Sequence, residues 1–337
     1  MADVIGTWDS LSEAQKLTEA TNVPGAIPEY MVKGGLLMND KIPIAQSNGL
    51  SIDWLRQTTI GRAKAIAPGG DAVWTSDVSY TQKSAALKEF YDQRLCDKYV
   101  KSVYGTYNNY EEIVYNNSLG ACIDAIEDWI FYGDTTYTNS DEPDGLHAWA
   151  AESTGTNSDI DEGGALSLAN VRLAIATMKF GCDLIVVGEA IKLRLDAALQ
   201  EAEIKEGLMY TRDEFGKPLM TFDSIPVHQC NYLVAEQAGT GEGSSAMAKY
   251  TSGTKEYSMF FLKFGNIQKQ EPGLSLGFGS DESQLAKAGK IVYLDVFDKL
   301  ENKIAKGLRN WGYCNLLPGS KYAIGRIYGI TDGAVTA

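Results

Sequence analysis

Two strand-like runs, residues 50–66 and 72–87, flank Pro68-Gly69-Gly70-Asp71, and no other stretch restricts the possible folds as much. A proline that fixes φ followed by two permissive glycines is a turn signal, so the runs read as one hairpin. Strands approaching fifteen residues are about three times the usual length, and a two-stranded ribbon alone in water is marginal. The ribbon therefore needs another surface to lie on, and its edges are open to pairing. Charge points the same way. Residues 50–90 hold five basic and four acidic side chains, net +1, in a chain whose formal charge is −14. A near-neutral arm on an acidic body can lie across the same body of a neighbouring copy.

After the ribbon, residues 87–104 read as a helical or mixed connector. The stretch 109–133 then places Ile113, Leu119, Cys122, Ile126, Trp129 and Ile130 at spacings of three, four and seven. That periodicity predicts one apolar stripe along a helix. Asn109 with Glu112 reads as a capping box, and Gly133 as a left-handed stop. About 24 residues at ~1.5 Å each make a rod on the order of 36 Å. Gly120 costs roughly 1 kcal/mol against alanine, so burial must hold this helix more than propensity. Glu127 and Asp128 fall in its last turn, where the helix dipole disfavours negative charge. Either they lie on a surface face that tolerates them, or basic groups of another segment or another copy meet them there.

The chain before the ribbon has one short helix signal at Ser10 and Glu13. It is then broken by Pro24, Gly25, Pro28, Gly34, Gly35 and Pro43, as an extended arm without its own core. Beyond Gly133, polar loops lead to about residue 164. A helix capped by Ser167 follows, carrying Leu168, Val171, Ile175 and Met178, and Gly181 closes it. A short apolar strand from Asp183 to Val187, a helix with Ile191 and Leu195, and a strand at residues 225–228 complete an α/β lobe. From Tyr257 the pattern turns to strands, with residues 299–311 read as helical and 322–330 as a closing strand.

Function classes narrow in turn. The longest apolar runs, at residues 184–187 and 259–262, are far too short to span a bilayer, so no membrane association is expected. Asp3, Asp9, Glu13 and Glu19, with no apolar core among them, predict no secretion signal. Five scattered cysteines without a CxxC pair suit buried thiols in a reducing compartment. An acidic body disfavours tight nucleic-acid binding. His228 and Cys230 alternate onto one side of a strand, as a dyad or half a metal site would, but lack a third group. His147 reads as a packed residue. Gly239–Ser245, GTGEGSS, has neither the strand-to-helix setting nor the GK[ST] of a phosphate loop. The paired carboxylates are sequence neighbours and diverge, whereas acid–base catalysis needs convergence. No catalytic, metal or cofactor residues are assigned.

This order of parts resembles the major capsid proteins of tailed bacteriophages, whose Hong Kong 97-like fold is shared with encapsulins. The likeness is carried by Leu36 and Leu37 to Ile44, by Trp54, Leu55 and Arg56 with Gly61, and by Ala72, Val73 and Trp74. Further along, Glu127, Asp128, Trp129, Tyr132, Gly133 and Asp134 carry it, then Asp144, Gly145 and Leu146, and the run from Phe222 to Val227. The resemblance implies an α+β fold with an N-terminal arm (1–49) and an extended loop (50–90). It also implies a peripheral domain (91–134 and 255–311) with the long spine helix, and an α/β axial domain (135–254 and 312–337). It implies self-assembly into hexamers and pentamers of an icosahedral shell around double-stranded DNA, in a virion put together in the host cytoplasm. The DNA would be enclosed without tight binding. Partners would be other copies, a portal, a separate scaffolding protein and decoration proteins. Arg56, Arg62, Lys64, Trp74, Lys83, Glu127 and Asp128 are the expected contacts between copies. Some members join subunits by a lysine–asparagine bond; Lys64 lies near the hairpin tip, but no partner matches, so no such chemistry is assigned. Two other readings stand beside this one: an encapsulin-like compartment, and a soluble α/β enzyme built on residues 167–228.

Overall fold

A computed structural model of the chain describes residues 34–37, 41–47, 49, 51–61, 63–72, 78–99, 102, 110–133, 141–153, 156–200, 207–212, 218–241, 247–279, 292–300 and 304–336. Strands β1 (Ile44–Ser47), β2 (Ser51–Thr59), β3 (Ser79–Ala86) and β4 (Lys88–Asp97) precede the 23-residue helix α1 (Tyr110–Tyr132). Helix α2 (Leu146–Ala150) runs into a 3-10 turn at Ala151–Ser153. The next elements are β5 (Asp159–Ser167), α3 (Leu168–Thr177), β6 (Leu184–Val187), α4 (Glu189–Ala198), β7 (Leu208–Arg212), β8 (Pro218–Phe222) and β9 (Ile225–Gln229). The last are β10 (Glu236–Gln237), β11 (Lys255–Leu262), β12 (Leu274–Gly279), β13 (Tyr293–Phe297), β14 (Ala305–Pro318) and β15 (Ile324–Thr336).

The described residues form three sheets. The first runs β1-β12-β14-β13, with β4 on the other edge of β14. The second runs β5-β15-β11-β6-β9-β8-β7, with β10 on β11, and the ribbon β2-β3 forms the third. The four apolar residues of β6 show why the second sheet sits where it does. Leu184 and Val186 join the core cluster shared with α1 and the first sheet, while Ile185 and Val187 join the cluster under α3 and α4. A strand covered on both faces reads as a continuous apolar run rather than an alternation.

Helix α1 buries Val114, Ser118, Cys122, Ile126 and Ile130, one residue every fourth position. The stripe is rotated from the expected one: Ile113 and Leu119 are half-exposed, and Ser118 sits inside. Ser118 is tolerated there because Asn310 of β14 donates to its hydroxyl at 2.9 Å. Asn109, its expected cap, lies outside the described residues, as do Ser10 and Glu13. Gly133 does not take a left-handed φ. Its lack of a side chain matters for a different reason, since a Cβ would lie 2.4 Å from the Pro143 carbonyl oxygen and 2.6 Å from that of Trp129.

Several sequence expectations change. Residues 88–97 form β4, not a helical connector, because their backbone pairs along β14 from Lys88↔Cys314 to Asp97↔Ala305. Residues 305–311, expected to be helical, belong to the same long strand β14. Asp159–Ser167, read as loop as far as residue 164, is an edge strand parallel to β15. The ribbon strands are nine and eight residues, and the described residues between them carry only the turn in which Gly70 N–H donates to the Ala67 carbonyl at 2.9 Å. Strand β11, expected in the returning peripheral sheet, lies between β15 and β6 in the second sheet. Ser167 makes no side-chain cap; its N–H instead donates to Glu162 Oε1 at 2.9 Å.

Candidate assembly surface

The ribbon is anchored at its root and bare further out. At the root, Trp54 and Ala85 pack with Ala45 and Leu317 of the body, and the Trp54 ring lies 6.3 Å from that of Trp149. Asn315 extends the first sheet to the ribbon by donating to the Ala86 carbonyl at 2.7 Å. Next outward comes a charged clamp. Arg56 Nη1 meets Glu152 Oε2 at 2.7 Å, Lys83 Nζ meets Glu152 Oε1 at 2.7 Å, and Arg56 Nη2 donates to the Pro318 carbonyl at 2.7 Å. Partial burial alone would raise the Glu152 carboxyl, but the hydrogen bonds from Lys83 and Arg56 prevail and hold it below the usual range. Beyond Arg56 the described hydrogen bonds stay within the ribbon, from Thr58 and Thr59 to Ser79.

Leu55, Ile60 and Tyr80 are 69%, 79% and 63% exposed. They line one side of an open groove of ≈ 1150 Å³, whose other side is body residues including Phe180 and Pro272. Apolar side chains facing such a groove on an element without its own core mark an interaction surface.

The expected contact residues part company here. Arg56 and Lys83 come together on Glu152 of their own chain. Lys64 is exposed on the outer ribbon, and Arg62 and Trp74 lie outside the described residues. Glu127 is 0% exposed, so it faces its own interior: its Oε2 accepts the Leu36 N–H at 2.9 Å and fixes the arm where it enters the fold. Asp128 pairs with Lys249 at 2.5 Å, a basic group from another segment of the same chain. The arm is held at a second point by His228, whose Nε2 lies 2.9 Å from the Gly34 carbonyl. Cys230 is buried, and burial pushes its thiol up to about 12. Among the described residues no group of three or more His, Cys, Asp or Glu is placed to hold a metal, and no helix is long and apolar enough to cross a membrane.

One feature escaped sequence reasoning. Arg326 of β15 is buried and bonds Asp159 of β5 at 2.6 and 3.0 Å and the Gly241 carbonyl at 3.1 Å. His147 lies beside it, with Nδ1 3.3 Å from Arg326 Nη1 and Nε2 3.1 Å from Glu236 Oε1. Glu236 also accepts from Tyr132 at 3.1 Å and from Ser258. The cluster ties the end of α1 to the second sheet, and a buried charge group of this kind is strong only when each member is satisfied.

No protein-family model and no curated protein sequence matches the chain. Solved structures do match it in shape. Against a chain of the holo-SrpI encapsulin complex from Synechococcus elongatus PCC 7942 the TM-score is 0.65 at 8% identity, over 94% of this chain and 95% of that one. The capsid of a native GTA particle gives 0.60 at 12% identity, over 96% and 99%. The capsid of cyanophage P-SCSP1u gives 0.58 at 10%, over 92% and 92%. The chain has the Hong Kong 97-like fold. In a Hong Kong 97-like chain this distant from its structural neighbours, the likeness carries backbone geometry and no side-chain roles.

Proposed function

We propose that the chain is the shell-forming subunit of an icosahedral capsid, arranged as hexamers and pentamers around the double-stranded DNA of a tailed phage. The supporting observation is the ribbon, whose root is fixed on its own body while Leu55, Ile60 and Tyr80 stay uncovered. Heterologous contacts that close into rings bury such surfaces on the next copy, and rings of this kind build shells. A likeness in fold that extends over nearly the whole of this chain and of the capsid chains supports the reading. In this scheme α1 is the spine of a peripheral domain, and the second sheet with α3 and α4 is the axial domain. A separate scaffolding protein, a portal and decoration proteins complete the particle. A net charge of −14 leaves packaged DNA free of the wall on average.

A second reading, a cellular compartment with cargo protein inside, is supported by the overlap with the encapsulin chain. Negative-stain images of purified protein test both readings at once, because each requires closed particles. Particles from the native source that hold nuclease-protected DNA favour the capsid, and particles that hold a second protein favour the compartment. Small discrete oligomers alone overturn both.

A further inference from the structure

We propose that Glu152 is a positioning residue that sets the angle at which the ribbon leaves the body, and through that angle the curvature at which copies join. The second half rests on the shell reading above; the first does not.

The geometry is that of a strut. Glu152 sits on the 3-10 turn after α2, and α2 is anchored in the core by Leu146 and Ala150. Each of its carboxylate oxygens takes one cation, Arg56 from β2 and Lys83 from β3, both at 2.7 Å. Because the two bonds reach separate strands, a twist or swing of the ribbon must lengthen at least one of them. Inside the strut, the apolar cluster of Trp54, Ala85, Ala45 and Leu317 acts as the pivot. Outside it, the ≈ 1150 Å³ groove leaves the ribbon room to swing. Apolar packing is non-directional and tolerates small rotations, whereas charge-assisted hydrogen bonds are directional. Arg56 is only 10% exposed, and without the Glu152 carboxylate it keeps its bond to the Pro318 carbonyl but loses its counter-charge, so the ribbon loses the directional bonds that hold it in one orientation.

The test compares wild type with E152A, E152Q and K83M. Spin labels at Ala67→Cys and Lys269→Cys, in a Cys182→Ser background, report the ribbon-to-body distance below the concentration at which shells form. Electron micrographs above it report particle diameter. Wild type is expected to give one narrow distance peak and one diameter. E152A should broaden the peak roughly twofold and yield several diameters or open sheets. E152Q, which keeps shape but loses charge, and K83M, which removes one arm of the strut, should fall between. K83M alters a partly exposed side chain and keeps the test valid if E152A fails to fold. Unchanged peaks and unchanged diameters in all three variants overturn the proposal. If wild type itself forms no particles, the shell reading fails, and the distance peaks still decide whether Glu152 holds the ribbon.

Discussion

Arg326 and Asp159 meet through two parallel hydrogen bonds, Nε to Oδ1 at 2.6 Å and Nη2 to Oδ2 at 3.0 Å, between β15 and β5. Both side chains are 1% exposed. Removing either partner strands a buried charge, which costs about 3–5 kcal/mol, whereas replacing both with apolar residues of similar volume costs far less. R326M and D159L are therefore each expected to lose about 3–5 kcal/mol in denaturant unfolding, and the double variant to recover much of it. Single variants within about 1 kcal/mol of wild type would contradict this.

His147 reports on the same cluster through pH. Its ring stacks on Tyr132 at 5.2 Å and meets Phe260 edge-on at 4.8 Å, facing Glu236, Arg326 and Asp159. Burial lowers its pKa from 6.5; Glu236 and Asp159 pull it up, Arg326 adds to the lowering, and burial prevails. The unfolded chain therefore takes up a proton that the folded chain refuses. This contribution to stability is complete above pH 6.5 and is lost as pH falls below it toward the folded pKa. Thermal unfolding between pH 7 and pH 5 should show a shallower pH dependence in H147Q than in wild type. Equal slopes would assign the dependence to other groups.

Two glycines in or beside α1 should respond in opposite directions. A Cβ at Gly120 meets nothing within 4 Å, so G120A is expected to gain about 0.5–1 kcal/mol from reduced freedom of the unfolded chain and better helix propensity. A Cβ at Gly133 would lie 2.4 Å from Pro143 O, so G133A is expected to lose about 1–3 kcal/mol through forced shifts. Chemical denaturation of the two variants side by side checks the pair, and a shared sign would contradict it.

The long helix was legible because Cys122, Ile126 and Ile130 recur every four residues, and β6 because Leu184–Val187 is apolar throughout. Strand β14 was not. Its buried positions include Asn310 and Asn315, whose amides bond Ser118 and Ala86 from distant segments, so its alternation is hidden by polar residues satisfied elsewhere. Strand β5, DIDEGGALS, has the composition of a loop and is a strand only because β15 lies beside it. The ribbon's basic residues were visible, but not their use. Glu152 is separated from Arg56 by 96 positions, and nothing local to either marks the pair.

The exposed side of the ribbon should matter to assembly and little to folding. Leu55, Ile60 and Tyr80 are mostly uncovered, so L55S, I60S and Y80S are each expected to shift stability by no more than about 0.5 kcal/mol. Light scattering should nevertheless show slowed or abolished assembly, most in the triple variant. A triple variant that assembles like wild type would place the contact between copies elsewhere.

The most direct measurement replaces residues 57–80, Ile60 and Tyr80 among them, with a short turn in a chain that also carries L55S, keeping Arg56 and Lys83, and follows the intact and shortened chains by sedimentation velocity at concentrations where the intact chain assembles. The account predicts large closed particles from the intact chain. It predicts a folded monomer or single ring from the shortened one, with an unchanged melting temperature. Particles of equal size from both chains, or an intact chain that stays solitary at every concentration, would contradict it.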